Sequence, residues 1–207
     1  MFRKISKLEF EELTQVLNES RRVEFKPPFD WKSKENGDIN QKERFVRALI
    51  SMSNTPQGGR VIIGYQEKGR ELIEAPLTKE QWMSFVLIEE VEMFVDSFVT
   101  EKISFSVREY SSNEDRYFLI FEVEEFEELP NLCKKDSQSK NQLIKGFLYA
   151  RTIKAPYSSI PAGEREFREI VRLAMKKQNQ IAEGIVSRKE KRDDKKVFEK
   201  IIDESQI

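Results

Sequence analysis

The chain has 207 residues, 38% of them apolar and 15 of them Phe, which is enough to bury a core in one domain with an appendage or in two small ones. Charged residues make up 35% and sum to −1, so the surface is ionic, and no apolar run approaches the roughly 20 residues that span a bilayer. The absence of histidine excludes Ser-His-Asp and Cys-His nucleophilic systems and the usual His/Cys zinc sites, and a single cysteine, Cys133, excludes a disulfide framework.

One cysteine and a start, "MFRKISKLEF", without an apolar leader point to a reducing cytoplasm. Any chemistry falls to carboxylates, lysines, tyrosines or serines, with Mg²⁺ or Mn²⁺ as the matching hard cations. The charge is unevenly spread. Residues 20–60 hold nine Lys/Arg against five Asp/Glu, residues 84–128 three against thirteen, and residues 129–176 ten against four. Two basic segments around an acidic one suggest a local anion-binding surface.

In chain order, Ser6 with Glu9 reads as a capping box, and Leu8, Leu13, Val16 and Leu17 form a helical stripe over 7–18. "RRVEFK" (21–26) is a short strand stopped by Pro27-Pro28. After a loop, Asn40 is the expected cap of a helix carrying Phe45, Val46, Leu49 and Ile50, and "NTPQGG" ends it before the buried-type strand "RVIIGY". Thr78 and Gln81 form a second capping box ahead of one long helix over 79–98. "ISFSVREY" and "RYFLIFEVEE" read as a β-hairpin, 131–145 as a polar mobile loop, and "GFLYAR" as a strand. A helix over 164–176 follows. Hairpins outweigh alternating helix–strand units, so the expected class is α+β, with a domain over 1–176 and a charged linker and amphipathic helix over 177–207.

Three stretches carry chemistry. In "ESRRVEFK" the carboxylates of Glu19 and Glu24 converge only if a helix or turn ends near Glu19 and a strand starts near Arg22. Glu24 and Lys26 then share one strand face, and a carboxylate pair with a lysine can hold a divalent cation against a phosphate; a surface Glu–Lys pair is the alternative. In "NTPQGGRVIIG" the amides around Asn54, Thr55, Gly58 and Gly59 can cradle an anion or simply make a tight connection. No Gly-Lys-Ser/Thr follows, so it is not a Walker loop. In "GFLYARTIKAPYSS", Tyr149, Arg151 and Lys154 mix aromatic and basic groups as nucleic-acid grooves do.

Taken in order, "ESRRVEFK", "SMSNTPQGGRVIIGYQEKG" and "GFLYAR" resemble the Schlafen family's AlbA-type domain, also described as a divergent AAA or DNA-binding domain, over about residues 13–175. The resemblance implies an α+β lobe with a nucleic-acid-binding face, in a single-lobe, prokaryotic-type form. It further implies a metal-dependent endoribonuclease acting on tRNA or other structured RNA, with Glu19, Glu24 and Glu67 holding Mg²⁺ or Mn²⁺ and Lys26 beside them. Gln66 stands where that family's turn commonly has Asp. Phosphate contacts are expected from Arg21, Arg22, Lys26, Arg60, Arg151 and Lys154, with Tyr149 stacking. The other readings are a non-catalytic DNA- or RNA-binding regulatory or adaptor module, and ATP binding at Gly58-Gly59. A single lobe implies a homodimer, with the 177–207 tail as a further contact for a protein partner.

Overall fold

The computed structural model describes residues 2–14, 20–69, 71–112, 115–139, 142–155 and 157–183. Among these, β1 (Arg3–Lys4), β6 (Phe105–Ser111), β7 (Tyr117–Val123), β3 (Gly59–Ile63) and β2 (Val23–Lys26) lie side by side in that order in a mixed sheet. The outer pairs β1·β6 and β2·β3 are parallel, and β6·β7 and β3·β7 antiparallel. Two small hairpins, β4 (Tyr65–Lys68) with β5 (Glu71–Glu74) and β8 (Tyr149–Arg151) with β9 (Ser159–Pro161), stand apart from it. The α+β class holds.

The central strands β3 and β7 are apolar apart from Arg60 and Glu122, because both faces are largely covered. Along β7, Leu119, Phe121 and Val123 enter one core while Phe118 and Ile120 enter the other. The first core, centred on α2 (Asn36–Ser53), stacks Phe45, Val46, Leu49 and Met52 against Val61, Ile63 and Phe121. The second lies under α1 (Lys7–Thr14), where Phe10 stacks on Tyr110 at 4.2 Å and packs with Phe25, Ile62 and Tyr65. A third, smaller cluster of Phe126, Ala150 and Ile170 fastens α5, residues 164–183, to β8.

Several sequence expectations change. The Ser6 hydroxyl accepts from the Glu9 amide, but the Glu9 carboxylate goes to Arg3 and Arg108, so only half of that capping box forms. α2 begins at Asn36, a turn before Asn40, whose side-chain oxygen is buried without a partner. The Thr78–Gln81 box forms in both directions, yet the helix after it breaks into α3 (Lys79–Ser84) and α4 (Ile88–Asp96). "GYQEKG" is strand β4, with Gly64 at φ 123° marking its separation from β3, rather than a turn. The 131–145 segment is anchored by buried Asn131, Cys133 and Leu143. The boundary expected at 176 falls inside α5, and residues 184–207 lie outside the described residues. No described helix is long and apolar enough to cross a membrane.

Candidate functional site

In the parallel β2·β3 pair, Glu24 lies opposite Val61, Phe25 opposite Ile62 and Lys26 opposite Ile63. Glu24 and Lys26 therefore face the α2 side of the sheet, while Phe25 enters the second core. Both polar residues are buried, with 4% and 5% exposure, which rules out the surface-pair alternative. Lys26 Nζ donates to Glu24 Oε1. Glu24 Oε2 accepts from Arg151 Nη1 at 2.7 Å and from the Ser159 hydroxyl. Arg151, fully buried at the end of β8, spends its other nitrogens on the carbonyls of Ser20 (2.9 Å), Val23 (3.2 Å) and Arg21 (3.4 Å). Burial by itself would raise the Glu24 pKa, but the charges of Lys26 and Arg151 and the hydrogen bonds from Lys26 and Ser159 outweigh it and hold the carboxyl below its ordinary value.

This cluster is the floor of a cleft of about 640 Å³. Gln41, Arg44 and Arg47 form one wall, three residues apart on a single face of α2. Tyr65, Gln66 and Glu67 of β4 form the other, and Tyr157, Ile160 and Pro161 lie at the rim. Arg44 and Arg47 are half-buried, and neither forms an ion pair among the described residues. Arg47 Nε and Gln41 Oε1 are buried with no hydrogen-bond partner among the described residues. Burial lowers the Arg47 pKa, Glu24 opposes that, and the neighbouring Arg44 charge adds to it. An unpaired guanidinium in a half-buried cleft is electrostatically unsatisfied, and an anion satisfies it.

Of the expected catalytic set, the structure brings together Glu24 and Lys26 and places Glu67, exposed, on the cleft wall; Glu19 lies outside the described residues. At Glu24, Oε2 already accepts two donors and Oε1 one, so a divalent ion there would share the carboxylate with the charges of Lys26 and Arg151. Among the described residues no three His, Cys, Asp or Glu side chains gather as metal ligands do.

The expected phosphate contacts are dispersed. Arg21 is held in a two-pronged pair with Glu169 of α5, its Nη1 2.9 Å from Oε1. Arg22 folds onto Gln57 and the Gly58 carbonyl. Arg60 pairs with Glu122 at 3.3 Å on the α1 face of the sheet, opposite the cleft. Lys154 is exposed in a neighbouring depression with Ile153 and Arg165. Tyr149 is 1% exposed, and its hydroxyl accepts the Ile144 amide at 2.9 Å, so its ring packs in the core and offers no stacking face.

The glycine loop is corrected too. The Asn54 side chain bridges Asn131 and the Tyr149 carbonyl, the Thr55 hydroxyl donates to Ser51, and the Gly58 amide donates to the Thr55 carbonyl at 2.8 Å. Gly58 has φ 66°, and a Cβ there would lie 2.0 Å from the Val123 carbonyl oxygen. A Cβ on Gly59 would meet Met52 Sδ at 2.3 Å. These glycines allow close backbone packing, and the neighbouring Gln57 amide donates to the Glu125 carboxylate at 2.7 Å. Sequence reasoning missed Arg44 and Arg47. Their three-residue spacing with Gln41 was the available signal.

An α+β lobe with a basic cleft between a sheet edge and one long helix defines the class. Residues 19–154 match the family model described as Schlafen, AlbA_2, and the chain belongs to that family. Among solved structures it is similar to the DIP2311 protein of Corynebacterium diphtheriae, at 16% identity and a TM-score of 0.46, over 81% of this chain and 33% of that one. It thus spans about a third of that protein's length. It is also similar to the N-terminal domain of a RecG-related protein of Nitrosomonas europaea, at 14% identity and a TM-score of 0.40, over 68% of this chain and 88% of that one. No curated protein matches the chain.

Proposed function

We propose that this chain binds nucleic acid through the cleft, with Arg44 and Arg47 engaging phosphate and Lys26 adding to the field behind them. The observation that carries the reading is the pair of half-buried guanidinium groups with no carboxylate partner among the described residues. Arg presents a planar fork of donors that matches phosphate oxygens, and water-excluding walls strengthen the attraction. Membership of the Schlafen, AlbA_2 family supports a nucleic-acid ligand. The reading is of recognition rather than hydrolysis. In this reading Glu24 serves as the counter-ion of Lys26 and Arg151, with three donors on its carboxylate.

The test is fluorescence anisotropy with total tRNA and with single-stranded DNA across a salt series, for the native chain and for Arg44→Gln and Arg47→Gln. Expected is salt-sensitive binding that weakens about tenfold or more in each variant while melting stays within a few degrees of native. Affinity indifferent to both arginines overturns the reading. Parallel lanes with Mn²⁺ are expected to show no cleavage, and cleavage abolished by Glu24→Gln would restore the hydrolytic role.

A further inference from the structure

We infer that the cleft selects a strand end, a terminal nucleotide carrying a phosphomonoester, over the internal phosphodiesters of a nucleic acid. The inference rests on the cleft being a phosphate site and deepens that reading. It begins with a charge count. Among the described residues the lining holds four cations, Lys26, Arg44, Arg47 and Arg151, and two carboxylates, Glu24 and Glu67, a formal balance of +2 (4 − 2). Glu24 is hydrogen-bonded to Lys26 and Arg151, and Glu67 is exposed on the wall, so Arg44 and Arg47 have no ion-pair partner among the described residues. An internal phosphodiester brings one negative charge and two free oxygens. A terminal phosphomonoester brings about −1.5 to −2 at neutral pH and three strong acceptor oxygens. Two adjacent guanidinium forks need that larger set of acceptors, and the buried, unpartnered Arg47 Nε is one donor waiting for it.

The rest of the cleft fits the nucleoside attached to such a phosphate. Gln41 holds a buried side-chain oxygen with no donor, which a sugar hydroxyl supplies. Tyr157, Ile160 and Pro161 at the rim give the sugar and base an aromatic and aliphatic surface, and Ile160 is 40% exposed there. A cleft of about 640 Å³ lies in the range of small-ligand sites, about 300–1,000 Å³, and suits one or two nucleotides better than the side of a duplex.

The experiment uses the full chain and one single-stranded 12-nucleotide sequence in three forms, with a 5′-phosphate, a 3′-phosphate, or hydroxyls at both ends, labelled internally and measured by anisotropy in EDTA. Expected is at least tenfold tighter binding of one phosphorylated form than of the hydroxyl form. The preference shrinks as pH falls through about 6, where the monoester takes up its second proton. It disappears in Arg47→Gln. Arg44→Lys, which keeps the charge and removes the fork, retains binding and loses most of the preference, so the result does not hang on the folding of one variant. Equal affinity for all three oligonucleotides, still dependent on Arg44 and Arg47, overturns the strand-end inference and leaves the phosphate cleft standing. Binding independent of both arginines removes the underlying reading as well. A nucleoside monophosphate that binds as tightly as the phosphorylated oligonucleotide overturns the strand end in favour of a free nucleotide.

Discussion

Arg151 Nη1 lies 2.7 Å from Glu24 Oε2, and the two residues are 127 positions apart in the chain. Neither is more than 4% exposed. This contact ties the small β8·β9 hairpin to the edge strand of the main sheet at the floor of the cleft. Three donors fix one carboxylate, and that carboxylate in turn fixes two cations.

Removing Glu24 takes the carboxylate from buried Lys26 and from one nitrogen of buried Arg151, so the cost exceeds that of a surface pair. Glu24→Ala is expected to lose about 3–5 kcal/mol of stability, as for other broken buried ion pairs. Chemical denaturation with an unchanged m-value is the check. Arg151→Met, which leaves the carboxylate paired only with Lys26 and Ser159, is expected to lose a comparable amount. A loss below about 1 kcal/mol in both would show that the cluster does not hold the fold.

The acid limb of stability follows from the same carboxylate. Its folded pKa is depressed, so its contribution is complete above the unfolded glutamate value, about 4.3, and is lost as pH falls through the lower folded value. Melting temperatures from pH 7 down to pH 2 are expected to fall more steeply below about pH 4 in the native chain than in Glu24→Gln. Parallel curves would refute the assignment.

Gly58→Ala places a methyl group where the Val123 carbonyl oxygen already lies, at a positive φ that alanine resists. The expected cost is about 1–3 kcal/mol. Affinity for nucleic acid, measured well below the melting transition, is expected to stay native, because the loop amides are spent inside the fold. A selective loss of affinity with native melting would return the loop to the binding site.

Arg60 separates a basic surface from a basic cleft. It faces the α1 side of the sheet and pairs with Glu122. Arg60→Ala is therefore expected to leave affinity within about twofold, whereas Arg44→Gln lowers the magnitude of the salt-dependence slope by about one. Equal effects from the two would show that binding is spread over the whole surface.

Much of the scaffold was legible because it depends on local periodicity. The β6·β7 hairpin, β3 and the Thr78–Gln81 capping box all read directly from the chain. The break between α3 and α4 did not. Phe85, Val91 and Val95 all enter the same core, so the apolar pattern runs on across the break between the helices. The β4·β5 hairpin was hidden by its short, charged strands. At the site, alternation in β2 correctly put Glu24 and Lys26 on one face, but not what met them there. Arg151 and Ser159 arrive from far along the sequence, and only the fold turns an E-x-K motif into a saturated ion cluster. Arg44 and Arg47 were overlooked for the opposite reason. A helix face shows its spacing in sequence, but whether water, protein or a cleft covers it depends on distant strands.

The order in which the chain is made adds a consequence. Ser159 is synthesised 135 residues after Glu24. At ordinary elongation rates that interval is roughly 7–27 s. Until then the Glu24 carboxylate lacks its Ser159 donor, so the ion cluster under the cleft closes only once β9 has been added.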